Sequence, residues 1–362
     1  MRRLAITLQG CWCSRAAELD RTGLAPGPLL PTLDGECGVS DVATALRATS
    51  FSATPEVPMA SDLVRAGDPT LVFTEHEKRF LLVPQPGRRF HCHIGIIEHN
   101  DLIGKAWGTE GMAHGGESYL VLRPALEDLM LHLKRATQVI YPKDAALLVQ
   151  RLGIRSGSVV LEAGTGSGVM TTALAWAVAP HGRVVTCEQN EAMYQQAQRN
   201  LERTGLVRWV DARLGYLAEC VLDQPADAAL LDMREPWRVL GIVRSLVQPG
   251  SVVAAFLPTT NQVSQQVRSL EETGCADLKV EEVLVRRYKP VPDRLRPEDQ
   301  MTAHTGYVVS GRLVDTGHEP LRWLSRERRR YASRQEATLR YRQRKAEQAS
   351  GEVRPRGRRP LP

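Results

Sequence analysis

A short glycine-rich segment near the middle of the chain has the composition of a loop that binds a nucleotide-like ligand. It runs from Gly164 to Gly168, follows an apolar run with strand character at 158–163 and precedes one with helical spacing at 169–179. Glycines let the backbone turn sharply and approach a ligand closely, and the helix N-terminus favours an anionic group. Glu188 ends the next strand-like run, and its carboxylate can accept hydrogen bonds from both hydroxyls of a ribose. The sequence therefore predicts a site for an adenosine-type cofactor.

The spacing of the glycines indicates which cofactor. Gly164, Gly166 and Gly168 follow a GxGxG pattern, which is typical of enzymes that use S-adenosylmethionine. A GxGxxG pattern leaves room for the pyrophosphate of a dinucleotide. A nicotinamide cofactor and a turn without any ligand are the alternatives, and the strand-loop-helix context together with Glu188 disfavours the second. The predicted cofactor is S-adenosylmethionine.

A second candidate for chemistry is Asp232, at the end of the strand-like run 226–233. A carboxylate at the carboxyl edge of such a sheet lies where these folds bind ligands. In methylation at N1 of adenine the ring becomes cationic, and an aspartate that accepts a hydrogen bond from the exocyclic amine stabilises that charge. Methyltransferases acting at N6 use an Asn/Asp-Pro-Pro-aromatic turn, from which the Asp-Met-Arg-Glu-Pro-Trp segment departs. Asp232 is the predicted catalytic residue.

Five motifs occur in order along the chain. They are Phe-His-Cys-His-Ile-Gly at 90–95, Ile-Tyr-Pro-Lys-Asp-Ala-Ala at 140–146, Val-Leu-Glu-Ala-Gly-Thr-Gly-Ser-Gly at 160–168, Leu-Asp-Met-Arg-Glu-Pro-Trp at 231–237 and His-Thr-Gly-Tyr-Val-Val at 304–309. From about residue 65 to 314 the chain resembles the tRNA adenine-58 N1-methyltransferase family. The resemblance implies a class I S-adenosylmethionine-dependent methyltransferase domain, a homotetramer, and methylation of N1 of adenine 58 in the T-loop of tRNA.

The resemblance also implies roles for individual residues. Together with Gly164 and Gly166, the residues expected at the cofactor are Ser167, Gly168, Val169, Met170, Glu188, Glu219 and Asp232, and Asp232 also binds the acceptor adenine. The residues expected at the substrate are Tyr141, Lys143, Phe256 and His304. Tyr141 and Lys143 belong to a segment expected to close over the active site, although Lys143 also fits a solvated charge. Phe256 stands where the family often has tyrosine, so any hydroxyl contact there is lost and stacking is what it can offer. For His304, packing and hydrogen bonding are favoured over catalysis.

Other functions stay open at this point. The cofactor loop alone does not name the acceptor, so a methyltransferase of protein carboxylates or small molecules is one alternative. A non-catalytic tRNA-binding subunit is another, disfavoured because the loop, Glu188 and Asp232 occur in one chain. His91 and His93 would share one face of a predicted strand, a spacing that suits a metal, but no third ligand is evident. We expect structural or RNA-contacting histidines and no metal.

The elements that must position these residues follow from the apolar patterning. Short strand-like runs between 62 and 123 predict a small antiparallel β module, and strands alternating with amphipathic helices from 143 onward predict an α/β, Rossmann-like doubly wound sheet. Runs at 280–288 and 305–314 are predicted as its last strands. The expected division is an unstructured or mis-annotated extension at 1–60, the β module at 61–124, the methyltransferase domain at 125–315 and a basic tail at 316–362.

Charge is distributed unevenly along the chain. The 362 residues carry a formal net charge of +6, but residues 322–362 hold fourteen Lys and Arg against four Asp and Glu, which leaves 33 basic and 37 acidic residues in the rest. The tail fits either a phosphate-binding arm or a solvated end. Seven cysteines without paired spacing favour a reducing cytoplasm, and no apolar run reaches the ~18 residues of a membrane span.

Overall fold

The computed structural model describes residues 62–135, 138–315, 323 and 325–349. The predicted extension at 1–60 lies outside the described residues, as do residues 350–362 of the tail. Within the described part of the chain, no helix is long and apolar enough to cross a membrane.

The first described segment is a small antiparallel β structure, as the short strand-like runs predict. Its elements are β1 (Thr70–Thr74), β2 (Arg79–Leu82), β3 (Arg89–Cys92), β4 (Gly95–Glu98), the one-turn helix α1 (His99–Leu102), β5 (Thr109–Met112) and β6 (Ser118–Leu122). Four strands form a sheet in the order β2-β1-β6-β5, and β3 pairs with β4 as a separate hairpin. Val72, Ile97, Leu102 and Tyr119 fill a core between them.

The hairpin corrects one expectation. The run at 90–97 is two strands joined by a turn at His93 and Ile94, because Cys92 pairs with Gly95. His91 lies in β3 and His93 lies in the turn, so the two imidazoles do not share one face of a strand. The premise of the histidine-pair metal site is therefore wrong.

A seven-stranded sheet forms the larger part of the fold. Its strands are β7 (Val159–Ala163), β8 (Arg183–Glu188), β9 (Val210–Leu214), β10 (Ala226–Leu231), β11 (Val247–Leu257), β12 (Cys275–Glu281) and β15 (Tyr307–Leu313). The order is β12-β15-β11-β10-β7-β8-β9, in which β15 alone runs antiparallel. The strand order reverses between β7 and β10, and open sheets of this kind bind ligands at the carboxyl ends of the strands beside such a reversal.

Helices cover both faces of this sheet, so its central strands are apolar on both sides. They are α2 (Leu126–Leu131), α3 (Pro142–Leu152), α4 (Val169–Val178), α5 (Glu191–Thr204), α6 (Leu240–Leu246) and α7 (Thr260–Glu272), and α8 (Arg326–Ala349) follows the last strand. Val160 and Leu230 face the core that contains α2, α3 and α4. Leu161 and Leu231, one residue further along each strand, face the core that contains α6 and α7. The prediction of a doubly wound sheet is confirmed.

Local signals in the sequence fix the ends of these helices. Helix α3 has Pro142 in its first turn, where a missing N–H costs nothing, and is followed by Gly153 in the left-handed conformation. Helix α5 begins after Asn190, whose side chain accepts a hydrogen bond from the Met193 N–H at 3.2 Å, and ends at a left-handed Gly205.

The last predicted strands are only partly right. Strand β12 ends at Glu281, which pairs with Val308 near the start of β15. Residues 282–288 therefore have no neighbouring strand in the sheet, although they are apolar enough to read as one. The chain instead leaves the sheet and forms a short hairpin, β13 (Tyr288–Lys289) with β14 (Arg296–Pro297), before it returns to β15.

A buried polar network joins the start of α3 to the segment that precedes β15. The Lys143 ammonium donates to Asp144 Oδ1 at 2.9 Å, to the carbonyl of Val283 at 2.7 Å and to the hydroxyl of Thr305. Thr305 in turn donates to Asp144 Oδ2 at 2.6 Å. Asp144 is fully buried and the Lys143 side chain is 12% exposed. The network holds both ends of the excursion between β12 and β15 against the body of the protein.

We predict that Asp144→Ala strongly destabilises the fold, because it leaves the Lys143 ammonium buried without its carboxylate. Breaking such a pair costs about 3–5 kcal/mol. The free energy of unfolding from urea denaturation measures the loss. A Lys143→Met/Asp144→Leu variant, which removes both charges, should recover much of it.

Asp223→Ala is the matched control, because Asp223 is an exposed carboxylate paired with Arg183 and surface pairs contribute little. Equal unfolding free energies for Asp144→Ala and Asp223→Ala would contradict the structural role of the network.

Candidate active site

The glycine-rich loop lies at the carboxyl end of β7, beside the reversal of strand order. Gly164 has φ +94°, and a Cβ atom there would lie 2.0 Å from the carbonyl oxygen of Asp232. Gly168 has φ +75°, and a Cβ atom there would lie 3.2 Å from the Cα of Ala197 in α5. Only glycine meets both the backbone angle and the close approach at Gly164. The loop therefore presents bare backbone toward the end of β10.

Glu188 joins the loop through its carboxylate. It is the last residue of β8, and its Oε2 accepts a hydrogen bond from the Gly166 N–H at 2.8 Å. Its Oε1 accepts one from the Asn190 N–H at 2.9 Å. Each carboxylate oxygen has two acceptor positions, so each keeps one for another donor. The carboxylate is thus fixed in place and still able to accept hydrogen bonds from a ligand.

Asp232 follows β10 directly and continues its pairing with β7, since its N–H donates to the Ala163 carbonyl at 2.9 Å. Burial raises the pKa of its carboxyl to about 7, and the negative charge of Glu188 adds to the shift. Asp232 therefore changes its protonation state close to neutral pH, which is the property expected of a group that handles a proton.

One cleft brings these groups together. It has a volume of about 640 Å³ and is lined by Gly164, Glu188 and Asp232, together with Asn190, Tyr216 and Arg238. This size suits a nucleoside-like ligand. Arg238, which pairs with Glu235 at 3.1 Å, gave no signal in the sequence. The cleft thus combines Gly164 of the loop with Glu188 and Asp232. Its lining does not include Gly166, Ser167, Gly168, Val169 or Met170.

A third carboxyl group lies directly behind the loop. Glu162, in β7, is fully buried and accepts a hydrogen bond from the Thr171 hydroxyl at 2.6 Å. Burial raises its pKa to about 8, because it outweighs the hydrogen bonds from Thr171 and Thr186 that favour the charged form. Glu162 is thus largely neutral at pH 7. The position of Glu162 within the glycine motif does not by itself predict that its side chain is buried.

Asn200 ties the cofactor loop to the chain that precedes α3. It is fully buried in α5, and its side-chain amide donates to the Ser167 carbonyl at 2.7 Å and to the Lys134 carbonyl at 2.9 Å. Its Oδ1 accepts from Gln196 Nε2 at 3.2 Å. The sequence gives no signal for this residue, because an asparagine within an amphipathic helix has no distinctive spacing.

The other residues predicted at the cofactor fall in different places. Ser167, Val169 and Met170 are buried, and the Val169 and Met170 side chains belong to the core below the sheet. The backbone N–H groups at the start of α4 are what these two residues can offer a ligand. Glu219 is absent from the lining of the cleft, and its Oε2 lies 3.5 Å from the N of Tyr216, at the rim.

Tyr141 and Lys143 line a second cavity instead. It has a volume of about 750 Å³ and lies between α2, α3, α4 and the excursion that follows β12, with Met130, Trp176 and Met301 in its wall. None of the residues that line this cavity also lines the cleft at Gly164. Lys143 is not a solvated charge, because its ammonium is committed to the buried network.

Phe256 lies at the end of β11, and His304 contacts the chain just beyond that end, at Pro258. Phe256 is 7% exposed and packs so closely on Gly306 that a Cβ atom there would lie 2.4 Å from its ring. His304 Nδ1 lies 2.7 Å from Glu282 Oε1, and Nε2 lies 3.2 Å from the Pro258 carbonyl oxygen. These partners raise the pKa of His304, Glu282 most strongly. His304 is thus held by hydrogen bonds to neighbouring segments, and its place at the substrate stays a prediction.

Comparison with known proteins connects this geometry to a family. Residues 118–314 match the family model described as tRNA methyltransferase complex GCD14 subunit. The tRNA (adenine(58)-N(1))-methyltransferase TrmI of Thermus thermophilus is 36% identical over 243 residues, which cover 67% of this chain and 95% of the relative.

Two solved structures share the fold. The tRNA (m1A58) methyltransferase TrmI of Aquifex aeolicus has a TM-score of 0.60 and 35% identity, covering 70% of this chain and 100% of that one. A protein from Thermotoga maritima titled as an S-adenosylmethionine-dependent O-methyltransferase has a TM-score of 0.66 and 34% identity, covering 71% of this chain and 97% of that one. The predicted family and the predicted class I fold are both confirmed. The chain belongs to the tRNA (adenine-58-N1)-methyltransferase family and has the class I S-adenosylmethionine-dependent methyltransferase fold.

Proposed function

We propose that this protein methylates N1 of adenine 58 in the T-loop of tRNA, with S-adenosylmethionine as the methyl donor. The names of its relatives support the reaction and the substrate. The observation that carries the proposal is the cleft in which the glycine loop, Glu188 and Asp232 converge at the reversal of strand order.

The residues present fit the cofactor. The loop offers bare backbone at Gly164, where no side chain has space, and each Glu188 oxygen keeps an acceptor position for a ribose hydroxyl. S-adenosylmethionine would supply an electrophilic methyl group on a sulfonium centre. The N–H groups at the start of α4 favour a carboxylate, the one anionic group that this cofactor carries.

Asp232 has the chemistry that the acceptor base requires. When N1 of adenine takes up a methyl group the ring gains a positive charge, and the exocyclic amine becomes a stronger donor. The ionised Asp232 carboxylate accepts a hydrogen bond from that amine, stabilises the charge, and can take the proton because its pKa is close to 7. Tyr141, Lys143, Phe256, His304 and Glu219 remain proposed contacts whose side chains lie outside the lining of this cleft.

The alternatives predict different results. A non-catalytic subunit would have no use for an intact glycine loop together with Glu188 and Asp232 at one cleft. An O-methyltransferase, as the Thermotoga maritima structure is titled, would transfer the methyl group to a hydroxyl or carboxylate. Incubation of bulk tRNA with labelled cofactor, followed by nucleoside analysis, separates these cases, and absence of 1-methyladenosine would reject the proposal.

We also propose that the chain acts as a homotetramer in the cytoplasm, with the four-part division of the sequence. The family resemblance supports the tetramer. A reducing compartment is supported by four free thiols, those of Cys92, Cys187, Cys220 and Cys275. Burial raises the pKa of Cys187 to about 12 and that of Cys275 to about 11, so both stay protonated near neutral pH.

Asp232→Ala should lower kcat/KM for tRNA methylation by roughly 10²–10⁴-fold, the usual contribution of a positioned acid or base. Binding of S-adenosylmethionine, measured by calorimetry, should stay within a few-fold of wild type. Asp223→Ala, at an exposed carboxylate, is the control. A normal methylation rate in the Asp232 variant would show that the assigned role is wrong.

The pH profile should report the same carboxyl group. Because its pKa is raised to about 7, the inactive protonated form predominates at lower pH. The logarithm of kcat/KM should therefore rise with a slope of about 1 up to that pH and level off above it. Residual activity of Asp232→Asn should lack this dependence. Equal wild-type rates at about pH 6 and about pH 8 would contradict a role for the ionised group.

A further inference from the structure

Helix α8 extends from the protein with very little side-chain packing. Of its side chains from 326 to 347, all are exposed except Arg328 and Ala332. Its 24 residues span about 36 Å at 1.5 Å per residue. The family match ends at residue 314, so α8 lies outside the part of the chain that accounts for methyl transfer.

One ion pair fixes the base of this helix. The Arg328 guanidinium donates from Nε and Nη2 to the two carboxylate oxygens of Glu271, both at 2.7 Å. The Glu271 side chain is 12% exposed, and a planar two-point contact of this kind defines direction as well as position. Glu271 lies in the last turn of α7, whereas α7 begins near the carboxyl end of β11. The anchor is thus at the opposite edge of the sheet from the Asp232 cleft.

Most cations of α8 lie on the side away from the anchor, whereas Arg342 lies on the anchor side. At 100° per residue, seven of them fall within an arc of about 160° centred opposite Arg328. They are Arg326, Arg329, Arg330, Arg334, Arg340, Arg344 and Lys345. We call this surface the basic stripe. Tyr341 lies within it and is exposed, and the helix's three glutamates lie at its margins.

Repulsion between the cations of the basic stripe destabilises α8. Arg326, Arg330 and Arg334 follow one another at four-residue spacing, as do Arg340 and Arg344. Like charges at this spacing destabilise a helix. The ion pair between Glu336 and Arg340, at the same four-residue spacing, stabilises the helix instead. A polyanion lying along the stripe would offset this repulsion.

We propose that the basic stripe of α8 is a phosphate-binding arm that grips tRNA away from the methylated base. This inference rests on the proposed function, which supplies tRNA as the polyanion. Residues 1–321 carry 33 basic and 37 acidic residues, so the net charge of the body does not attract RNA. The arm supplies sequence-independent affinity through phosphate contacts, with Tyr341 available to stack on a base. Because its anchor is remote from the cleft, it acts on tRNA binding and leaves the chemical step alone.

The test replaces four stripe cations in the full-length protein with residues that keep helix propensity: Arg330→Gln, Arg334→Gln, Arg344→Gln and Lys345→Gln. The Kd for tRNA at low salt should rise roughly 10- to 100-fold, and the slope of log K against log salt should fall by about 3. KM for tRNA should rise in parallel, with kcat at saturating tRNA within about twofold of wild type.

The matched control keeps the charge: Arg330→Lys, Arg334→Lys and Arg344→Lys should leave the salt slope unchanged. An unchanged salt slope of tRNA binding in the glutamine variant would overturn the proposal. It would also be overturned if that variant bound tRNA normally and lost only its binding to phosphatidylserine vesicles, because α8 would then be a membrane-binding arm. Failure of the proposed function looks different, because wild-type protein would then bind tRNA with the steep salt slope and form no 1-methyladenosine.

Discussion

The candidate site depends on the close approach of two strand ends. At the reversal of strand order, the backbone of Gly164 lies so near the carbonyl of Asp232 that no side chain has space between them. The Asp232 N–H extends the ladder to Ala163, so the two segments diverge only after this point. The loop turns one way toward Glu188 and Asp232 faces the other side of the same opening. A substitution at Gly164 would therefore displace the candidate catalytic carboxylate as well as the loop.

The same arrangement concentrates acidic groups in one small region. Glu188 is held by two backbone N–H groups, Asp232 has a pKa raised to about 7, and Glu162 behind the loop has one raised to about 8. Burial raises the pKa values of Asp232 and Glu162, and the negative charge of Glu188 adds to both shifts. A cationic ligand in the cleft would favour the ionised forms of these carboxyl groups. The site is thus electrostatically suited to a positively charged ligand.

Sequence reasoning succeeded where backbone requirements are read directly from residue types. Gly164, Glu188 and Asp232 occupy one cleft because strand ends at a reversal have a fixed geometry. Sequence reasoning failed where the structure depends on which strands pair. Residues 282–288 have strand-like composition but no partner strand in the large sheet, and His93 lies in a turn of the hairpin. The role of Asn200 could not be predicted, because a buried side-chain amide that hydrogen-bonds a loop has no periodic signature. Tyr141 and Lys143 belong to a motif in the chain, yet their side chains line a different cavity.

Helix α8 carries a consequence for how freely this part of the chain can change. Beyond Ala332 its described side chains are exposed, so folding imposes almost no constraint on their identity or order. Only helix propensity and the density of positive charge on one side are needed for the inferred role. Insertion of whole turns, exchange of arginine for lysine and shuffling of the intervening residues should all be tolerated, provided that Arg328 still meets Glu271. The inferred role of α8 thus depends on its amino-acid composition, whereas the glycine loop depends on which residue stands at each position.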